Sequence, residues 1–217
     1  MPLRLDRVHA RRTACRQAQA WLDAGLQVVT VAVNISAIEF RHKDFVSGVA
    51  LILNDTGLSP RYLELELTES ILMQDAEASA TMLEALKKMG VRLAIDDFGT
   101  GYSSLSYLKR FPIDTLKIDQ SFVRDIDTDP DDGAIVSAVI SMGKNLNQRV
   151  IAEGVESAEQ LAFLQARQCD EGQGFMFSHP LPAKDFERLL VGEKSAATIS
   201  RKPHRLCTPA YRQPGPA

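Results

Sequence analysis

Short apolar, β-branched runs alternate with stretches of helical periodicity about six times along this chain. That alternation restricts the fold to an α/β architecture with a mainly parallel sheet. The strand-like runs are 28–33, 63–67, 91–95, 115–119, 149–153 and 169–174. The intervening helices are read at about 8–24, from Lys43 to the stop at Gly57, from Asp75 to Gly90, at Ser103–Arg110, along the stripe Ile135, Val139, Met142 and Leu146, and after Ser157. Ser157 with Gln160 has capping-box spacing. A last amphipathic helix is expected over Ala183–Leu190, and Asp125–Asp132 is read as an acidic loop. No Gly-x-Gly-x-x-Gly follows the first strand, so a dinucleotide-binding domain is unsupported.

The ends of these strands carry the chemistry. Asn34, Glu66, Asp96 with Asp97, Lys117 with Asp119, Glu153 and Gln173 each stand at the close of an apolar run. In a parallel barrel the carboxyl ends of all strands meet on one rim, where active sites are built. One polar residue there is ordinary; six strands in phase are hard to explain by structure alone. Glu66, Asp96, Asp97 and Glu153 are hard anionic ligands suited to Mg²⁺ or Mn²⁺, and Asn34 and Gln173 add neutral oxygens. Two such ions can activate a water and clamp a phosphodiester. Lys117 could orient that water or neutralise charge on phosphate; an internal ion pair with Asp119 is the plainer reading, and the two are compatible.

Composition excludes several classes. The chain has 217 residues, a formal charge of −3, 45% apolar and 24% charged residues, which fits one globular domain. Cys15, Cys169 and Cys207 are too few and scattered for a disulfide framework, and fit a reducing compartment. No apolar run approaches a membrane span, and no signal peptide is read, so a cytoplasmic location is expected. From Val191 the composition turns basic and Pro-rich, so 1–190 is taken as the domain and 191–217 as a disordered tail. Lys194, Arg201, Lys202, Arg205 and Arg212 lack aromatic interleaving beyond Tyr211, so no nucleic-acid polymer is expected as a partner.

Six ordered motifs make the chain recognisable. They are Val33-Asn34-Ile35-Ser36, Glu64 to Ser70, Asp96 to Ser104, Lys117-Ile118-Asp119, Ala152 to Glu156 and Gln173-Gly174-Phe175. Together they closely resemble the EAL domain family of bacterial cyclic di-GMP phosphodiesterases, from about Thr13 to Leu190. The resemblance implies a TIM-type barrel and metal-dependent hydrolysis of cyclic di-GMP to linear pGpG. It implies that Asn34, Glu66, Asp96 and Asp97 are metal ligands, with Asp96 shared by two ions. It implies that Glu153 is a ligand or general base, that Lys117 holds the attacking water, and that Asp119 and Gln173 are further active-site residues, Gln173 on the substrate. Glu69 corresponds to the acid that anchors the loop Phe98–Ser104, which in the family couples the metal site to a homodimer interface.

The chain departs from the family pattern in one respect. The Glu-Ala-Leu signature is absent from its place ahead of these motifs, together with the adjoining substrate-contacting arginine. Six strands are counted where a barrel of this type needs eight, so an incomplete barrel is expected, beginning inside the helix after the second barrel strand. With one carboxylate ligand missing, the first metal site is expected to be weakened and turnover impaired. The alternative is an inactive module that binds cyclic di-GMP or a protein. A kinase reading, prompted by Asp97-Phe98-Gly99, fails for want of a Gly-rich phosphate loop and a His-Arg-Asp element.

Overall fold

The alternation Leu63-Glu64-Leu65-Glu66-Leu67 sets the logic of the whole sheet, because successive side chains of a strand point to opposite faces. Leu63, Leu65 and Leu67 are fully buried beneath the helices, while Glu64 and Glu66 occupy the other face. The computed structural model describes residues 3–28, 30–101 and 105–196. Within them lie six strands: β1 (Val31–Asn34), β2 (Leu63–Thr68), β3 (Arg92–Phe98), β4 (Thr115–Ile118), β5 (Arg149–Glu153) and β6 (Glu171–Gln173). They pair in chain order, every pair parallel.

Among the described residues ten α-helices connect and cover them. They are α1 (Leu3–Asp23), α2 (Ala37–Phe40), α3 (Phe45–Thr56), α4 (Glu69–Met73), α5 (Ala76–Lys88), α6 (Leu105–Leu108), α7 (Gln120–Arg124), α8 (Pro130–Asn145), α9 (Ala158–Ala166) and α10 (Ala183–Ala196). Local chemistry sets their ends. Asp75 accepts from the Ala78 N–H at the start of α5. Ser157 and Gln160 form the expected capping box on α9. Gly57 closes α3 in the left-handed conformation, φ 72°. The core joins outward-facing Leu65, Leu93, Ile95, Leu116, Ile118 and Val150 to Val49, Ile52, Leu83, Leu86, Val136 and Ile140 of α3, α5 and α8.

The sheet is curled. Arg149 on β5 reaches Glu64 on β2 at 2.8 Å, although β3 and β4 lie between them. In a flat sheet three strand spacings would separate these backbones by about 14 Å. The curl gathers the inward faces, so the expectation of an incomplete α/β barrel with six strands is met.

Several boundaries differ from the expected ones. β1 begins at Val31, and β3 runs on through both aspartates to Phe98. Asp119 follows β4 as the N-cap of α7. The acidic stretch is loop only to Asp129, because Asp129 caps α8 and Pro130 takes its first turn, where a missing N–H costs nothing. Helix α6 is shorter than expected, and Tyr102, Ser103 and Ser104 lie outside the described residues. Helix α10 continues to Ala196, past the composition break at Val191; the rest of the expected tail, 197–217, also lies outside them.

Candidate active site

Lys117 is the centre of the inward face. Its side chain projects from β4 and is only 3% exposed, with Nζ 2.8 Å from Glu66 Oε1, 2.9 Å from Asp96 Oδ1 and 2.6 Å from Glu153 Oε1. These carboxylates arrive from β2, β3 and β5. Burial works against the ammonium charge, but Glu66, Glu153 and Asp96 outweigh it and hold Lys117 protonated, its pKa raised. The acids feel the same burial. It pushes Glu66 up to about 7, against the pull of Lys117 and with help from Asp96 and Glu153. Glu153 is raised for the same reason, again opposed by Lys117.

Asp96 and Asp97 are neighbours in sequence, and in a regular strand they would face opposite sides. The β3–β4 register shifts between Ile95 and Phe98, and Asp97 adopts the left-handed conformation at φ 53°. Aspartate tolerates that region better than most residues. This bulge turns both side chains to one side, and Asp96, Asp97 and Glu153 present oxygens all within 4.8 Å of one another. Burial first, then Asp96 and a hydrogen bond to Asp119, push Asp97 up to about 6. Asp119 also accepts from the Ser121 N–H at 2.8 Å; its bonds to Ser121 and Asp97 overcome burial and lower its pKa.

The remaining predicted residues lie around this cluster. Asn34 is paired in register with Glu66, and Gln173 with Glu153, so both flank it at the same height. Glu69 does not join it. It opens α4 after β2, buried, with neither carboxylate oxygen hydrogen-bonded among the described residues. It lies against the loop after β3: a Cβ built on Gly101 would stand 3.5 Å from Glu69 Oε2. The sequence Glu84-Ala85-Leu86 does occur, but within α5, where Glu84 is exposed on the outer surface. It is no strand-end motif.

The donor set fits divalent cations. If all are ionised, Glu66, Asp96, Asp97, Asp119 and Glu153 against Lys117 leave four negative charges, the charge of two divalent ions. Among the described residues Glu66 Oε2 is buried with no hydrogen-bond partner, and hard cations seek such grouped oxygens.

Sequence reasoning missed a second polar layer below this one. Arg149 Nη2 donates to Glu64 Oε2 at 2.8 Å and to Thr115 Oγ1 at 3.0 Å; Thr115 Oγ1 donates to Glu64 Oε2 at 3.1 Å, and Arg149 Nη1 to Glu171 Oε1 at 3.3 Å. The signal was parity: Glu64, Thr115, Arg149 and Glu171 share a face with Glu66, Lys117, Glu153 and Gln173.

The family model described as "EAL domain" matches residues 3–180, so the chain belongs to the EAL domain family. It is 48% identical over 182 residues to signaling protein YkoW of Bacillus subtilis (strain 168), covering 84% of this chain and 23% of that protein. It is 49% identical over 171 residues to the bifunctional diguanylate cyclase/cyclic di-GMP phosphodiesterase MucR of Pseudomonas aeruginosa, covering 79% of this chain and 25% of that one. The chain thus spans about a quarter of the length of these curated relatives. Among solved structures, the MucR phosphodiesterase in complex with c-di-GMP superposes with a TM-score of 0.81 at 47% identity, covering 82% of this chain and 72% of that one. The manganese/cy-diGMP complex of Klebsiella pneumoniae BlrP1 gives 0.71 at 35% identity, covering 79% and 43%; a calcium complex of the same protein is also similar.

Proposed function

We propose that this domain hydrolyses cyclic di-GMP to linear pGpG with the help of bound Mg²⁺ or Mn²⁺. The observation that carries the reading is the convergence of carboxylates from β2, β3 and β5 on Lys117, with Asp96, Asp97 and Glu153 grouped closely enough to share a cation. Related proteins named as cyclic di-GMP phosphodiesterases, and a related structure named as a manganese/cy-diGMP complex, support the substrate and the metal class.

In this reading Asn34, Glu66, Asp96, Asp97 and Glu153 hold the cations. Bound divalent cations supply a more acidic water and neutralise charge on the phosphodiester. Lys117, whose three N–H groups meet Glu66, Asp96 and Glu153 in this structure, would turn one of them to hold the attacking water. Glu153, whose burial already raises its proton affinity, takes the proton of that water. An oxygen–phosphorus bond forms, one phosphorus–O3′ bond breaks, and the departing O3′ takes a proton. Gln173 of β6, paired with Glu153 of β5, binds substrate, Asp119 fixes Asp97, and Glu69 anchors the loop after β3 at Gly101.

Turnover is expected to be weak, because none of the six described strands carries Glu-Ala-Leu. The test is purified protein with cyclic di-GMP and Mn²⁺, with pGpG separated by chromatography. Slow, metal-dependent pGpG formation that Asp96→Asn abolishes supports the proposal. Tight nucleotide binding without any pGpG would favour the binding-module reading.

A further inference from the structure

Two polar layers line the concave face, one above the other. The upper holds Glu66, Lys117, Glu153 and Gln173; the lower holds Glu64, Thr115, Arg149 and Glu171. On β2, β4 and β6 the lower residue stands two positions before the upper one, and on β5 four positions before. Two positions along a strand amount to about 6.6 Å. The lower layer therefore grips four of the five strands that deliver the upper one; β3, which brings Asp96, is not among them.

The two layers are balanced differently. In the upper, several carboxylates share one ammonium, so part of their mutual repulsion is left uncompensated. In the lower, the Arg149 guanidinium is forked between Glu64 and Glu171, with the Thr115 hydroxyl bridging Arg149 and Glu64. Ladder hydrogen bonds join only neighbouring strands, whereas Arg149 crosses from β5 to β2 and links two strands that the ladder does not join. Arginine's planar fork gives this link a defined geometry that a lysine would not.

We propose that Arg149, with Glu64, Thr115 and Glu171, forms a positioning layer that holds β2, β4, β5 and β6 at the separation where Glu66, Lys117, Glu153 and Gln173 converge. The inference rests on reading the upper layer as a cation site. None of the four residues touches the reacting atoms; they act through the backbone of the strands they share with the site.

The test compares wild type with Arg149→Met, Arg149→Lys and Thr115→Val. Mn²⁺ binding is followed by the electron spin resonance of free Mn²⁺, well below each variant's melting temperature. The Lys117 ammonium is followed by ¹H–¹⁵N spectroscopy in metal-free protein. Arg149→Met is expected to weaken Mn²⁺ binding ten- to hundredfold and to move or broaden the Lys117 signal. Arg149→Lys should recover part of the affinity, and Thr115→Val should lose a few-fold. A less stable Arg149→Met with affinity within twofold of wild type and an unmoved Lys117 signal overturns the proposal, since a merely structural residue behaves so. If Arg149→Met does not fold, Thr115→Val decides: unchanged affinity and signal overturn the proposal. If wild type itself binds no Mn²⁺, the cation reading fails separately, and the Lys117 signal alone judges the positioning layer.

Discussion

Lys117 is worth more by what it neutralises than by what it touches. Replacing it with Met leaves Glu66, Asp96 and Glu153 in a buried layer without their shared cation. Lys117→Met is expected to lower the unfolding free energy by about 3–5 kcal/mol at pH 8. The loss should shrink toward pH 5, where the acids take up protons instead; urea denaturation at both values checks it. The wild-type protein carries its own pH signature. Glu66 is raised from 4.5 to about 7, and Asp97 and Glu153 are raised too, so the folded state binds more protons than the unfolded chain across that interval. Metal-free stability is therefore expected to fall as pH rises from about 4.5 to 7, by on the order of 1 kcal/mol or more. With Mn²⁺ the sign reverses, because the cation competes with those protons; melting temperatures across pH 5–8, with and without Mn²⁺, test both halves. At this scale Glu66, Asp96, Asp97, Lys117 and Glu153 were legible, since each closes an apolar run. Glu69 was placed by resemblance alone, because it opens a helix instead of ending a strand. Arg149 shows in the sequence only by its parity with Glu153; its pairing is not legible, because Glu64 lies 85 positions away and across two intervening strands.

Among the elements, turns and caps set how well each strand end is aimed. Gly154 follows Glu153 at φ 72°, and a Cβ there would lie 2.7 Å from that of Gln120. Gly154→Ala is expected to cost at least about 1 kcal/mol from the backbone conformation alone, read from denaturant midpoints. After Asn34, Ser36 and Glu39 form a capping box on α2, and Glu39 also takes the buried Arg11 of α1 at 2.8 Å. Ser36→Ala should cost about 1 kcal/mol; an unchanged melting curve would contradict the cap's role. The strand–helix succession could be read directly, because each long element has its own period. The helices α2, α4 and α7, of four or five residues, are too short to show one. The start of α8 reads as loop in the sequence because acidic residues and a proline look like a turn, although Asp129-Pro130 also suits a helix entrance.

Across the whole molecule, the six strands pair in sequence order, and among the described residues β1 and β6 each have one neighbour. Beyond β6, Phe175, Met176 and Phe177 are substantially exposed. Unpaired strand edges beside apolar surface favour association. Sedimentation velocity is expected to show concentration-dependent self-association, reduced by Phe175→Ser; one unchanging monomer boundary over a hundredfold range of concentration would speak against it. Curl was the global property least accessible from sequence, since it depends on contacts between strands that are neither sequential nor adjacent.

The single amine at the heart of the carboxylate cluster has a further consequence for how the molecule is made. A freshly synthesised chain carries an internal stand-in for mineral charge, and can collapse before any ion arrives from its surroundings. On the proposed cation reading, the scaffold is expected to assemble without the ion and to load it as a separate step.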